Sequence, residues 1–230
     1  MRTYKVMMTV CGRPATKSSI KRPKLPRGSV LAAATYRDVA PEATLEQVVL
    51  SGFILEYGDF GLLTLRQVRG DQLRLAGSDL AGSAVVDTVL QTIDASNTKF
   101  GQSRLERVQV EDSKFTGAHF ENARLIDTVF ADCRMDMISF RQAKSDRLAF
   151  ERCNLRGADF RNAELAGAMF TRCDLSGADF SHADLAGADL RLSRLDDLII
   201  EPGQLRGVIV SSDQALFLCG LLGLVIDDGV

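Results

Sequence analysis

Two histidines and five cysteines are the residues of this 230-residue chain best suited to proton transfer, nucleophilic attack or metal ligation. His119 and His182 stand in unrelated stretches, and neither sits with a Cys or Ser in a triad-like arrangement. Gly220-Leu-Leu-Gly223 lacks the Lys and Ser/Thr that a phosphate-cradling loop requires. Cys133, Cys153 and Cys173 recur every twenty residues. Three ligands in a straight column cannot surround a tetrahedral ion, so an apolar ladder of free thiols is the better reading. Unpaired thiols of this kind fit a reducing cytosol. The expectation is a chain with no enzyme activity, no metal and no cofactor.

What remains is carboxylate chemistry at regular spacing. Asp59 and Asp79, Asp159 and Asp179, Glu164 and Asp184, and Asp112 and Asp132 are pairs separated by twenty residues. Asp71, Glu111 and Glu151 are separated by forty. Such acids form columns able to meet a basic partner only if the chain returns to the same place every twenty residues.

A five-residue period supplies that return. Between Leu45 and Leu205, 26 of the 33 positions divisible by five are Leu or Phe. Val85, Val110, Met135 and Ile200 are apolar substitutes, and only Gly70, Ala95 and Ser145 bring no large apolar group. No insertion shifts the frame, so these three predict dents or small bulges rather than loops. A small residue stands two places before the Leu or Phe, as at Ala118, Ala158, Ala163, Ala178 and Ala183. Neither a helix nor a flat strand uses a period of five; a chain that turns a corner every five residues does. Phe100, Phe120, Phe140, Phe160 and Phe180 share one twenty-residue phase, and Phe130, Phe150 and Phe170 share another. Four corners therefore close one turn, and fixed repetition is the signature of a solenoid.

Units such as Ala158-Asp159-Phe160 and Ala183-Asp184-Leu185 resemble the pentapeptide-repeat proteins. The resemblance implies an all-β solenoid, a right-handed quadrilateral β-helix of about eight turns, with the Leu/Phe and the small residue facing inward. At the usual interstrand spacing of about 4.8 Å, such a rod is about 40 Å long. Each buried Leu or Phe contributes roughly 1.5–3 kcal/mol, against the cost of ordering the backbone. Asp before the central Leu or Phe also suits a turn-rich coil, so the acidic columns have a purely structural reading beside the functional one.

Charge is unevenly divided. Residues 1–40 hold nine Lys/Arg and one acid, Asp38, a net of +8; residues 41–230 have a net of −10. Residues 1–40 read as a basic, largely disordered arm, a free tail or one that lies against its own acidic rod: Gly12 to Gly28 is rich in Pro, Lys, Arg and Ser, with a short strand at Val6–Val10. Leu31–Tyr36 is placed to cover the first turn. Residues 41–207 form the β-helix, and Pro202-Gly203 ends its regular winding. Residues 208–230 make a terminal module, in which Ser212 N-caps a short helix with Asp213 in its first turn. The helix runs through Leu222 to a C′ glycine at Gly223, and Leu224-Val225-Ile226 follows as a closing strand. The apolar run from Ala215 to Ile226 is too short to span a bilayer, Met1–Cys11 is weak as a signal peptide, and a cytoplasmic location is expected.

The run Asp213-Gln214-Ala215 to Gly223-Leu224-Val225-Ile226 is similar to the C-terminal module of the fluoroquinolone-resistance pentapeptide-repeat proteins, the Qnr and MfpA type. That resemblance implies a homodimer through this module, with Leu216, Phe217, Leu218, Leu221, Leu222, Leu224 and Ile226 as candidate interface. It also implies a rod that copies duplex DNA and acts on DNA gyrase or topoisomerase IV, conferring resistance to quinolones. The uninterrupted repeat is nearer the MfpA pattern, and the basic arm belongs to neither. Duplex DNA carries one charge per 1.7 Å, or roughly 24 over about 40 Å, so ten net negatives restrict mimicry to particular faces. The alternative is a scaffold or protein-binding solenoid with no topoisomerase role. Direct nucleic-acid binding is expected only through the basic arm.

Overall fold

A computed structural model describes residues 20–26, 31–221 and 223–225. The expected strand at Val6–Val10 and much of the Gly12–Gly28 stretch lie outside them, as do Leu222 and Ile226.

The period of five becomes a stack of parallel coils. The longest strands are β6 (Ala84–Gln91), β7 (Arg104–Glu111), β8 (Arg124–Ala131) and β9 (Lys144–Glu151). They pair in parallel with a constant offset of twenty, as Leu105 with Leu125 and Phe130 with Phe150. The offset extends down to Leu45 with Leu65, through β2 (Thr44–Glu46) and β4 (Thr64–Arg66), and up to Glu164 with Asp184. Corners recur every five residues, where the backbone enters the left-handed region: Asp87, Asn97, Arg107, Asp127 and Arg147 all have φ between 49° and 58°. A non-glycine residue there is strained, and corner amides offset this by bonding the next coil, as Asp132 N–H does to Glu151 O at 2.9 Å.

Inside, the expected piles form. Phe100, Phe120, Phe140, Phe160 and Phe180 stack with successive centroid distances of 4.6, 5.1, 5.4 and 4.7 Å. Phe130, Phe150 and Phe170 form a second pile at 5.4 and 5.1 Å, and the two piles meet edge to face. Cys133, Cys153 and Cys173 are buried, their thiols directed at backbone carbonyls such as Phe130 O and Phe150 O. The neighbouring Cys153 thiol and burial push the Cys133 and Cys173 thiols up, away from reactive thiolate. Gly70 keeps its pairing with Leu50 and Leu90, and a methyl placed there would meet Leu90 Cδ2 at 2.8 Å. Ser145 keeps its pairing with Leu125, and its hydroxyl donates to Glu164 O at 2.9 Å.

Both ends are closed by departures from the repeat. At the first coil, β1 (Ala32–Ala33) adds to β3 (Val48–Ser51) with an offset of sixteen, Ala32 to Val48. Tyr36 lies on Phe53 with centroids 4.5 Å apart, and its hydroxyl accepts the Ile54 N–H. Leu31–Tyr36 thus does cover the first turn. At the other end a 3-10 turn, Pro202–Leu205, interrupts the coil, but winding resumes: Ile209 still pairs with Asp189, later than Pro202-Gly203 implied. Helix α1 spans Ser212–Leu221. Its cap is Ser211 rather than Ser212, because Ser211 Oγ accepts the Gln214 N–H while Gln214 Oε1 accepts the Ser211 N–H. This reciprocal box was legible as Ser-x-x-Gln. Gln214 Nε2 also donates to Leu190 O and Ser193 O, both at 2.7 Å, tying the helix to the coil beneath. Gly223, at φ 71°, closes the helix: its N–H reaches Gly220 O and that of Leu224 reaches Cys219 O, a Schellman pattern. Leu224 and Val225 belong to no strand, so the expected closing strand is absent at these two residues.

Candidate functional site

The stacked acids fall where their spacing predicts. Asp59 bridges to Asp79, Asp159 to Asp179 and Glu164 to Asp184. Asp71, Glu111 and Glu151 occupy equivalent places on every second coil of another side, with Gln91 and Ala131 between them. Two findings limit what these columns do. Most of these aspartates serve the turn: Asp59, Asp79, Asp159, Asp179 and Asp184 each accept the backbone N–H two residues ahead. Their columns are also broken by cations. Lys99 reaches Asp79, Lys144 reaches Glu164, Arg152 reaches Asp132, and Arg161 lies near both Asp159 and Asp179. Among the described residues Asp59, Asp71, Asp112 and Asp184 form no ion pair. His119 sits beside Glu121 and His182 beside Glu201, on separate coils. No group of three or more His, Cys, Asp or Glu able to hold a metal occurs among the described residues.

The basic arm meets the rod on the side formed by residues 87–91, 107–111, 127–131 and 147–151. Residues 20–26 lie on it without helix or strand. Lys24 N–H donates to Asp87 Oδ1 at 2.9 Å, and Lys21 N–H donates to Asp127 Oδ1 at 3.0 Å. Gln67 Nε2 donates to Lys24 O at 2.9 Å. Each aspartate is simultaneously forked by an arginine one coil on, Arg107 on Asp87 and Arg147 on Asp127. Between arm and coil runs a groove of about 690 Å³, lined by Ile20 and Pro23 on one wall and Val129, Ala131 and Glu151 on the other.

The Arg107 fork, opposed by burial and helped by the Lys24 amide, holds the Asp87 carboxyl below the ordinary carboxylate range; Arg147 and the Lys21 amide do the same for Asp127. Groups depressed in the folded state support structure fully above their unfolded value, about 3.9. That support is lost as pH falls through the lower folded value. The amide resonances of Lys21 and Lys24 should therefore stay unchanged from pH 8 down to about 4 and move to free-chain positions only in stronger acid. Release at neutral pH would show that these carboxylates do not hold the arm.

Sequence reasoning placed no function on Asp87, Asp127, Arg107, Arg147 or Gln67. One signal was available. The outward position that ought to be polar is Val89 and Val129 on the coils that bear Asp87 and Asp127, with Gln109 between them.

On α1, Leu218 is buried against the coil, whereas Leu216 and Phe217 are 56% and 41% exposed. Leu224 is exposed as well, and the side chains of Leu221, Leu222 and Ile226 lie outside the description. No helix among the described residues is long and apolar enough to cross a membrane.

Coils of four five-residue sides, with Leu or Phe inside each side, define a pentapeptide-repeat solenoid. A family model described as "Pentapeptide repeat region" matches residues 103–180 and 130–200, and over this stretch the chain is similar to pentapeptide-repeat proteins. Among solved structures it is similar to a trypsin-treated form of QnrB1, a plasmid-mediated fluoroquinolone resistance protein. The TM-score is 0.49 at 20% identity, covering 84% of this chain and 94% of that one. It is also similar to HetL, a pentapeptide repeat protein involved in heterocyst differentiation regulation from the cyanobacterium Nostoc. There the TM-score is 0.43 at 21% identity, covering 74% and 90% of the two chains. Among curated proteins none matches.

Proposed function

We propose that this chain is a non-catalytic interaction rod, dimeric through its C-terminal helix. In this reading it engages the DNA-binding surface of DNA gyrase or topoisomerase IV as a partial mimic of duplex DNA and shields the enzyme from quinolone-type inhibitors. The observation that supports the reading is the outward stacking of carboxylates on successive coils, Asp59 on Asp79, Asp159 on Asp179 and Glu164 on Asp184. A dimer would double the length over which such acids are offered, and exposed Leu216 and Phe217 give the helix an apolar face to cover.

The test is a supercoiling assay with purified gyrase, with and without a quinolone. Excess protein is expected to inhibit supercoiling and to lower drug-induced cleavage. Phe217→Asp should convert a dimer to monomers in sedimentation and weaken the effect by about tenfold or more through lost bivalency. Unchanged supercoiling and unchanged drug response would reject the topoisomerase reading.

A second reading rests on the ion pairs. Arg161 beside Asp159 and Asp179, Lys144 on Glu164 and Arg152 on Asp132 cancel much of the field a mimic needs. On that reading the rod is a protein-binding scaffold, and affinity capture returning a single partner unrelated to DNA topology would favour it.

A further inference from the structure

We propose that the side of the coil bearing Asp87 and Asp127 is a binding groove for an extended, proline-containing basic segment. Residues 20–26 are its built-in occupant, strapped in place so as to exclude such a segment of another protein. This proposal is independent of the topoisomerase reading.

The fit is one of two periods. Coils repeat at about 4.8 Å, so Asp87 and Asp127, two coils apart, stand about 9.6 Å apart along the rod. The amides they accept belong to Lys21 and Lys24, three residues apart. A polyproline II chain repeats every three residues at about 3.1 Å each, or about 9.3 Å. The two spacings agree to within a few tenths of an ångström.

The arm's sequence carries the same period. Ile20, Pro23 and Pro26 recur at three and are half-buried, as is Leu25 between the prolines, whereas Lys21, Arg22 and Lys24 are exposed. Prolines fix the extended backbone and have no N–H needing a partner. Of the amides that remain, those of Lys21 and Lys24 are the ones the aspartates accept.

The receptor is built twice over. At both clamps an arginine fork occupies the aspartate from one direction and leaves Oδ1 to take a peptide N–H as well. Gln67 adds a donor for the carbonyl of Lys24, so both backbone groups of that residue are read by side chains. These contacts read backbone shape. Selection for basic segments comes from Asp87 and Asp127, on which the charges of Lys24 and Lys21 act, with Glu111 beside them in the groove. A segment tethered to its own groove competes at an effective concentration that a free peptide rarely reaches.

The test uses the full chain and a fluorescent, end-capped heptapeptide with the sequence of residues 20–26. In the variant Lys21→Pro/Lys24→Pro both donated amides are gone, and the tethered competitor should be lost. Saturable peptide binding is then expected at least about tenfold tighter than to the unmodified chain. Adding Asp87→Ala/Asp127→Ala should abolish it, and a peptide with both prolines changed to alanine should bind more weakly. Equal affinity for the two full chains, or binding that survives loss of both aspartates, overturns the proposal. Amide exchange at Lys21 and Lys24 decides the matter if peptide affinity is too low to measure. Protection in the unmodified chain that falls about tenfold in Asp87→Ala/Asp127→Ala supports the strap, and no protection refutes it. If the aspartate variant fails to fold, Gln67→Ala should still weaken peptide binding and exchange protection, and no effect of that change counts against the groove.

Discussion

Phe140→Ala is expected to destabilise the coil by about 3–5 kcal/mol, the cost of emptying a fully buried aromatic site. Phe140 is completely buried. It lies between Phe120 and Phe160 in one pile and touches Phe130 and Phe150 of the other edge to face. Collapse cannot fill the hole, because hydrogen bonds hold the coils above and below at a fixed separation. The loss also propagates: a solenoid is held by contacts between neighbouring repeats, so a weakened level separates the two halves of the stack. Urea titration should show a lower midpoint, and a broadened or split transition would report that separation. Phe60→Ala, at the partly exposed end of the rod, should cost less. If Phe140→Ala shifted stability by under about 1 kcal/mol, the central pile would not be the continuous core that its geometry implies.

The second large effect concerns a charge. Arg147→Ala should cost about 3–5 kcal/mol, toward the lower figure, by leaving a buried carboxylate without its fork. The Asp127 side chain is 2% exposed, and Arg147 binds both its oxygens, Nε to Oδ1 at 2.5 Å and Nη2 to Oδ2 at 2.9 Å. After the change the Lys21 amide is the one described donor still on Asp127, and water enters only where Arg147, 28% exposed, had been. Adding Asp127→Asn should restore most of the loss, since the penalty lies in the uncompensated charge rather than in the missing contact. Lys144→Ala is the control: its pair with Glu164 is exposed on both sides and should be worth under about 1 kcal/mol. Denaturant titration of the four proteins checks the order, and an Arg147→Ala loss no larger than that of Lys144→Ala would contradict the buried-pair account.

From sequence alone the interior was fully determined. A tube whose coils consume twenty residues buries the same two positions of every five, so Phe120, Phe140 and Phe160 had to stack, and Cys133, Cys153 and Cys173 had to line up behind them. Steric demand is local and repeated there, and one register satisfies it. The outward pattern was only half legible. Stacking of Asp159 on Asp179 followed from the period, but the cations facing them come from other positions of the repeat, so Arg161 between both was decided by side-chain reach.

The ends and the arm were decided by tertiary structure. The Ser211–Gln214 box was written in the sequence, yet the choice between Ser211 and Ser212 turned on where the last coil released the chain. Docking of residues 20–26 depends on Asp87 and Asp127, which are forty residues apart and come within reach of Lys24 and Lys21 only once the coils have stacked. A repeat specifies its own core because each unit meets a copy of itself. A non-repeating segment meets a surface that exists only after folding, and its place is fixed by the three-dimensional spacing of groups that no local pattern brings together.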